Sequence, residues 1–473
     1  MAKVSLRKSA GALATAALLS GCAGIQAERG FAEVSATARE RLGERAELVW
    51  IRDESEAEQL KARTRALLAR PLSAEDAVQV ALFNNRGLQV ALAELGFAAA
   101  DMLESTLPRS PGYSYKRDSG HGEVELERTV TFDLLGLVTL PFRAMVEGER
   151  YAATKRRTAG RVIELAAETR RAYYNAIAAA QLAGYLGDVT EAAEASAELA
   201  RRLVRVGNLP RLDEARARAF HLEATASLAR GQGAAVVARE RLTRLLGLWG
   251  SELDYKLPEL LPELPQTPRL YDDVEALAVA NRADLKAAKA ELEATAQALG
   301  LTRVTRLVSA LSLGLDRHKQ TSEEPRKGYE IDISVPIFDF GEARVAKAEH
   351  LYMRAVHRAT ETAIDARSEV REAYLGYRTA YDVAKRYRDE IVPLRRTISE
   401  EMLLRYNGML VSVFELLADA REQSAGITAA IAAQRDFWQA DIGLEVALYG
   451  LSAAPVTLIQ STPSAGGQAA GEH

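Results

Sequence analysis

An internal duplication constrains this chain more than any other feature. "ALFNNRGLQVALAEL" around Asn84 lines up with "AVANRADLKAAKAEL" around Asn281, at an offset near 197 residues. "RRAYYNAI" from Arg170 pairs with "REAYLGY" from Arg371, "RVGNLPRLDEARA" from Arg205 with "RYNGMLVSVFELLADA" from Arg405, and "RLLGLWG" from Arg244 with "ALYGLSA" from Ala447. The order is kept throughout, so the fold has to be built from two copies of one supersecondary plan. The copies are read as residues 71–250 and 271–451. A linker over 251–270 joins them and contains "LPELLPELP", Leu257 to Pro265.

Alanine, leucine, arginine and glutamate dominate each copy, and long tracts carry neither proline nor glycine, which is the composition of long helices. Leu182, Leu186, Val189, Ala193, Ser196, Ala200 and Leu203 fall on the four-three spacing of a coiled-coil seam. Val370, Tyr374, Tyr377, Tyr381, Ala384, Ile391, Ile398 and Met402 do so in the second copy. Helix from about Arg344 to Tyr406 would run roughly 95 Å at 1.5 Å per residue, with Pro393 kinking or interrupting it.

Each copy also holds one short region of the opposite period, placed in hairpins over 107–135 and 307–337. Val124, Leu126, Val130 and Phe132 alternate with Glu125, Glu127, Thr129 and Thr131. Leu311, Leu313 and Leu315 alternate with Ser312, Gly314 and Asp316, and Tyr329, Ile331, Ile333 and Val335 with Glu330, Asp332 and Ser334. One apolar and one charged face is the pattern of a transmembrane barrel strand. It also suits a small hairpin half-buried on helices. Two hairpins cannot close a barrel, because even a small barrel needs about eight strands. Closure then requires several chains.

The single cysteine lies in "LLSGCAG", Leu18 to Gly24, after Lys3, Arg7, Lys8 and a short apolar stretch, which is the layout of a secretory signal. Leu19-Ser20-Gly21-Cys22 resembles the bacterial lipobox, which implies a signal peptide over 1–21, a covalent lipid (palmitate) on Cys22 and an anchored segment over 22–70. Ala23 after the cysteine implies sorting to the outer membrane. Cleavage would leave 58 basic against 65 acidic side chains, a net charge of −7 that offers no footprint for nucleic acid. No G-x-S-x-G, Walker loop or H-E-x-x-H motif occurs, so no catalytic residue is named and an enzyme is not expected. The six histidines are scattered, and His350 and His357 are read as surface residues rather than metal ligands, so no metal or other cofactor is called.

The lipobox, "PLSAEDAVQVALFNNRGLQVALAEL", a hairpin, long helices with a "VGN" turn, and the whole set again ending in "ISVPIFDFGEARVAKAEH" and "RYNGMLVSVFELLADAREQ" together resemble the TolC-like outer-membrane efflux proteins. The likeness runs from Pro71 to about Leu451. It implies a mainly α fold with a small β part: a coiled-coil helical tube and four strands per protomer in a shared barrel closed by a homotrimer. It also implies the outer-membrane channel of a tripartite efflux or type I secretion system in a Gram-negative bacterium. The partners would be a periplasmic adaptor, an inner-membrane pump of RND, ABC or MFS type, and outer-membrane lipid. Glu125, Glu127, Glu330 and Asp332 would line the pore. Val206, Gly207, Asn208, Asn407, Gly408 and Met409 would form the adaptor-docking tip, where Gly207 and Gly408 provide positive backbone angles. Asp213 and Glu415 would gate the pore, although Ser412 and Glu415 also have the spacing of a capping box. A flexible tail would follow over 452–473. The competing class is a coiled-coil periplasmic scaffold lipoprotein without a pore.

Replacing Cys22 by Ala is expected to abolish lipidation and processing at that site while leaving the barrel plan intact. Incorporation of labelled palmitate into the Cys22→Ala protein would refute the lipobox reading.

Overall fold

The computed structural model describes residues 27–120, 123–304, 310–320, 324–334 and 340–449. Cys22, Val335 and the 452–473 tail lie outside these. The chain begins with helix α1 (27–42), an extended stretch, and α2 (Glu54–Leu68). The first copy then runs α3 (Ala74–Asn84), α4 (Arg86–Thr106), β1 (Gly112–Gly120), β2 (Glu123–Asp133), α5 (Leu134–Arg205) and α6 (Arg211–Leu246). The second repeats the order as α7 (Val274–Asn281), α8 (Ala283–Val304), β3 (Ala310–Gln320), β4 (Arg326–Ser334), α9 (Glu342–Arg386), a π-turn (Tyr387–Ile391), α10 (Val392–Asn407) and α11 (Val413–Tyr449).

At 72 residues, α5 would span about 108 Å. It starts on the last strand residue without a loop, because the Asp133 carboxylate accepts the Gly136 N–H at 2.6 Å and caps the helix. Such a helix is stable only if its sides are covered. It lies against α6, α8 and α11, and α9 also contacts α8 and α11, so the two copies share one wall. Small side chains let these helices approach closely: Ala193, Ala200, Ala217 and Ala224 are buried, and a Cβ on Gly231 would lie 2.9 Å from Leu186.

The main core sits where the helical hairpins meet α3, α4 and α7. Tyr174 of α5 stacks on Trp438 of α11 at 5.0 Å, and Phe437 meets that Trp438 ring edge-on and also packs against Tyr377 and Tyr381. Arg170 and Glu445 bridge the same two helices at 2.9 Å. The proline-rich linker crosses this region as a strap. Its backbone has few donors, and side chains of the wall serve it: Gln434 and Trp438 donate to the Pro262 carbonyl, Tyr381 donates to those of Pro265 and Gln266, and Gln181 accepts the Leu261 N–H. The stretch after α1 is held likewise. The Gln79 amide exchanges two hydrogen bonds with the backbone of Glu47, and the Gln89 amide bonds the Val49 carbonyl and the Ile51 N–H.

Arg282 occupies the junction between α7 and α8 and is 1% exposed. It bonds Asp284 at 2.6 and 3.0 Å, Glu369 at 2.8 Å and the Ala447 carbonyl at 3.1 Å. Burial works against its charge, but Asp284 and Glu369 outweigh that and raise its pKa above the usual arginine value. One guanidinium therefore ties α8, α9 and α11 together.

Helix α6 ends in a Schellman turn, with Gly247 at φ +68° and the Leu248 N–H bonding the Thr243 carbonyl. A Cβ on Gly247 would lie 2.6 Å from the Asn84 carbonyl oxygen, whereas one on Gly43, at φ +96°, would meet nothing within 4 Å. Gly247→Ala is expected to cost about 2–4 kcal/mol, and Gly43→Ala about 1–2 kcal/mol from backbone strain alone. Thermal unfolding followed by circular dichroism compares them, and equal losses would remove the contact with Asn84 as a cause.

Candidate pore and docking surfaces

The four strands form one antiparallel sheet in the order β1-β2-β3-β4, so the hairpin of one copy pairs directly with that of the other. The register sets Val130 opposite Leu315 and Leu315 opposite Tyr329, and it sets Phe132, Leu313 and Ile331 in the next row. One face therefore carries Tyr113, Val130, Phe132, Leu311, Leu313, Leu315, Tyr329, Ile331 and Ile333 toward the helical end. Period-two alternation puts Glu125, Glu127, Thr129, Asp316, Glu330 and Asp332 on the other face.

On that polar face His318 sits 3.5 Å from Glu125 and 3.6 Å from Glu127 across the strand pair, and 3.5 Å from Asp316 beside it. Ser312 bonds Asp332 at 3.2 Å, and Gln320 bonds Glu123 at 2.8 Å. No group of metal-ligating side chains is formed among the described residues. Nor, among them, is any helix long and apolar enough to cross a membrane. Of the four named acids, Glu125 and Glu127 lie side by side on β2, while Glu330 and Asp332 lie on β4, separated from them by β3.

The opposite end of the molecule consists of two helical turns. Both are Schellman turns. In the first, the Asn208 N–H bonds the Leu203 carbonyl at 2.9 Å and the Gly207 N–H that of Val204 at 3.0 Å, with Gly207 at φ +80°. In the second, the Leu410 N–H bonds the Arg405 carbonyl and the Met409 N–H that of Tyr406, both at 2.9 Å.

Here the structure corrects the reading of Gly408. Its φ is −78°, and the left-handed position falls on Met409 at φ +59°. Gly408 stands one place too early in the turn to provide the positive angle, so a methionine carries a conformation that costs roughly 1 kcal/mol or more. Met409 is also 94% exposed, Leu410 beside it is exposed, and so are Val206 and Leu212 at the first turn. Asn208 and Asn407 lie within the two turns.

The two acids near the turns have local partners. Glu415 accepts the Ser412 N–H at 2.8 Å and its hydroxyl at 3.0 Å, while the Glu415 N–H donates to the Ser412 hydroxyl at 3.3 Å, which is a complete capping box. The backbone bond from Ser412, then its hydroxyl, holds the carboxyl below its usual pKa. The cap is therefore at full strength above the ordinary carboxylate range and is lost as pH falls through the lowered value. Asp213 lies in the first turn of α6, 3.4 Å from Arg216. Sequence reasoning missed Asp419, which is 8% exposed and whose Oδ2 has no hydrogen-bond partner in the described structure. Its one signal is an aspartate on the inward side of "FELLADA", beside Leu417 and the Phe220 cluster.

No protein-family model matches this chain, and no curated protein matches it. Solved structures do. CusC, studied for folding and transmembrane channel formation, superposes with a TM-score of 0.67 at 20% identity, over 80% of this chain and 92% of its own. The outer-membrane channel CmeC of Campylobacter jejuni gives 0.65 at 17% identity, over 80% and 85%. The outer-membrane protein VceC of Vibrio cholerae gives 0.67 at 17%, over 80% and 96%. Similarity over nearly the whole of each neighbour establishes the TolC-like fold: long helices with four strands in each protomer.

The turn geometry makes a prediction. Gly207→Ala is expected to cost about 1 kcal/mol, Gly408→Ala to be nearly neutral, and Met409→Gly to stabilise its turn by about 1 kcal/mol. Hydrogen exchange at the Asn208 and Leu410 amides reads each turn directly. Faster exchange at Leu410 in Gly408→Ala than at Asn208 in Gly207→Ala would contradict the assignment.

Proposed function

We propose that this chain is the outer-membrane channel of a tripartite efflux or type I secretion system, working as a homotrimer that conducts across the outer membrane and periplasm. The observation that carries this reading is the open sheet. Among the described residues strands β1 and β4 each pair on one side only, and in a membrane every backbone polar group needs a partner. A sheet with one apolar face and one acidic face, joined edge to edge with two copies of itself, meets that need and encloses a wet lumen. In this arrangement Glu125, Glu127, Glu330 and Asp332 line the pore and Ile331 and Ile333 face lipid. Lipid on Cys22 anchors the N-terminus to the same membrane.

The helical end then reaches inward. Val206, Gly207, Asn208, Asn407, Gly408 and Met409 are the surface offered to a periplasmic adaptor, which couples the channel to an inner-membrane pump. Asp213 and Glu415 lie just beyond these turns, and three chains would gather up to six carboxylates into a ring that favours cations. Nothing in this scheme calls for a cofactor or a catalytic group.

Planar-bilayer recording on the purified full-length protein tests the reading. Trimers are expected to conduct with cation preference, and Asp213→Ala and Glu415→Ala to raise conductance and weaken that preference. Absence of conductance would favour the non-channel scaffold. Unchanged conductance and selectivity in both variants would leave these acids as helix caps.

A further inference from the structure

Charges are sorted between the two faces of the sheet in a way that a pore alone does not require. The face bearing the apolar rows also carries Arg117, Arg128, Arg317, Lys319 and Lys327, all exposed, and in the paired register no aspartate or glutamate shares it. On the opposite face charges are mixed and paired, as in Lys116 with Asp118 at 2.8 Å.

Three of these cations form one cross-strand row. Arg128 lies directly opposite Arg317, and Arg317 directly opposite Lys327. Directly opposed side chains on neighbouring strands have Cβ atoms about 5 Å apart, so three like charges in a row destabilise the sheet unless anions lie between them. No ion pair to any of the three is formed among the described residues. The fourth member of the row is Tyr115, over whose ring the Arg128 guanidinium sits at 5.8 Å. Lysines that protect a sheet edge from mispairing are a familiar device. That role does not account for Arg128 and Arg317, which are on the two central strands.

We propose that this row binds the phosphate groups of an anionic lipid in the membrane leaflet at the hairpin-tip end of the sheet. The inference rests on the channel reading, which puts this face against lipid. Three features define the occupant. Arginine's planar fork matches phosphate oxygens bidentately, and lysine adds a point charge. The next row toward the helices, about 7 Å away, is Tyr113, Val130, Leu315 and Tyr329, a surface for acyl chains. The order along the strands, cations toward the tips and apolar rows toward the helices, matches a phosphorylated amphiphile lying head outward beside the sheet. A free anion would have no use for the apolar rows.

The test uses the full-length protein, purified as conducting trimers in detergent and titrated with lipid A, a diphosphorylated glycolipid, against phosphatidylcholine, with bound lipid counted by native mass spectrometry. Lipid A is expected to bind the wild type at least tenfold more tightly than phosphatidylcholine, and less tightly as salt rises. Each cation near an anionic surface contributes about fivefold, so Arg128→Gln/Arg317→Gln/Lys327→Gln should lose about a hundredfold. Lys116→Gln/Arg326→Gln, on the other face, should lose nothing. If the triple variant does not assemble, Arg317→Gln alone should show the fivefold loss. Wild-type binding by conducting trimers of the triple or the single variant would overturn the proposal and leave the channel reading standing. Displacement of lipid A by a few millimolar inorganic phosphate would reassign the row to a free anion and overturn it too. Failure of the wild type to conduct would instead remove the channel reading on which the proposal rests.

Discussion

Unpaired strand edges govern this molecule. Among the described residues, β1 and β4 each leave one row of backbone N–H and C=O groups without a sheet partner, and four strands are too few to curl round and meet. In water such edges could be hydrated. In the proposed channel, however, the apolar rows of Phe132, Leu313 and Ile331 would lie against lipid, where each unmet group would cost several kcal/mol. Association through these edges is then part of folding the sheet, and the proposed trimer follows from the edges more directly than from any helix contact.

The helices carry a second, milder version of the same demand. Leu222, Val236 and Val237 on α6, and Ile364, Leu375 and Val383 on α9, are exposed in the single chain, while the alanine-rich sides of these helices are buried. Helices of this length cannot bury all their apolar side chains against one neighbour, so the remainder stay exposed in the single chain. A closed ring of protomers would cover both the helical and the strand surfaces at once. Two contacts already act within one chain: the stacking of Tyr174 on Trp438 joins the two copies, and the buried Arg282 ties α8, α9 and α11 of the second copy together.

Most of this architecture was legible in the sequence because it rests on periodicity. The duplication, the two-residue alternation of Tyr329, Ile331 and Ile333, and the four-three spacing around Tyr377 and Tyr381 each mark a face that packing then uses. What was not legible depended on single contacts. Strand β1, "GYSYKRDSG", has too few apolar residues to announce itself, and only pairing with β2 defines it. Gln79 and Gln89 look like ordinary polar residues of α3 and α4, yet they lace the segment after α1 to the core. Nothing in the residue pattern around Arg282 marks it as buried, and only the fold closes over it. Gly408 shows the limit most sharply: its residue type suits the left-handed position of a turn, and a one-place offset gives that position to Met409.

The two copies differ in how their long helices reach the tip, and the difference has a local cause. In the first copy α5 runs unbroken from the sheet to Arg205. In the second, Pro393 has no N–H to give to a preceding turn, and in an α-helix its ring would press on the carbonyl four residues back, at Asp389. The chain answers with the π-turn Tyr387–Ile391, where the Val392 N–H reaches back five residues to the Tyr387 carbonyl. That wider turn makes room for the ring, and α10 proceeds. Beyond it α10 has no fully buried side chain, and its last turn closes on the strained Met409. Within the single chain α10 therefore buries less than the outer half of the first hairpin, where Ala193, Ala200, Ala217 and Ala224 are buried. The first hairpin thus reaches the tip on one continuous helix and the second on two helices joined by a π-turn, with Ser412 and Glu415 capping the start of α11.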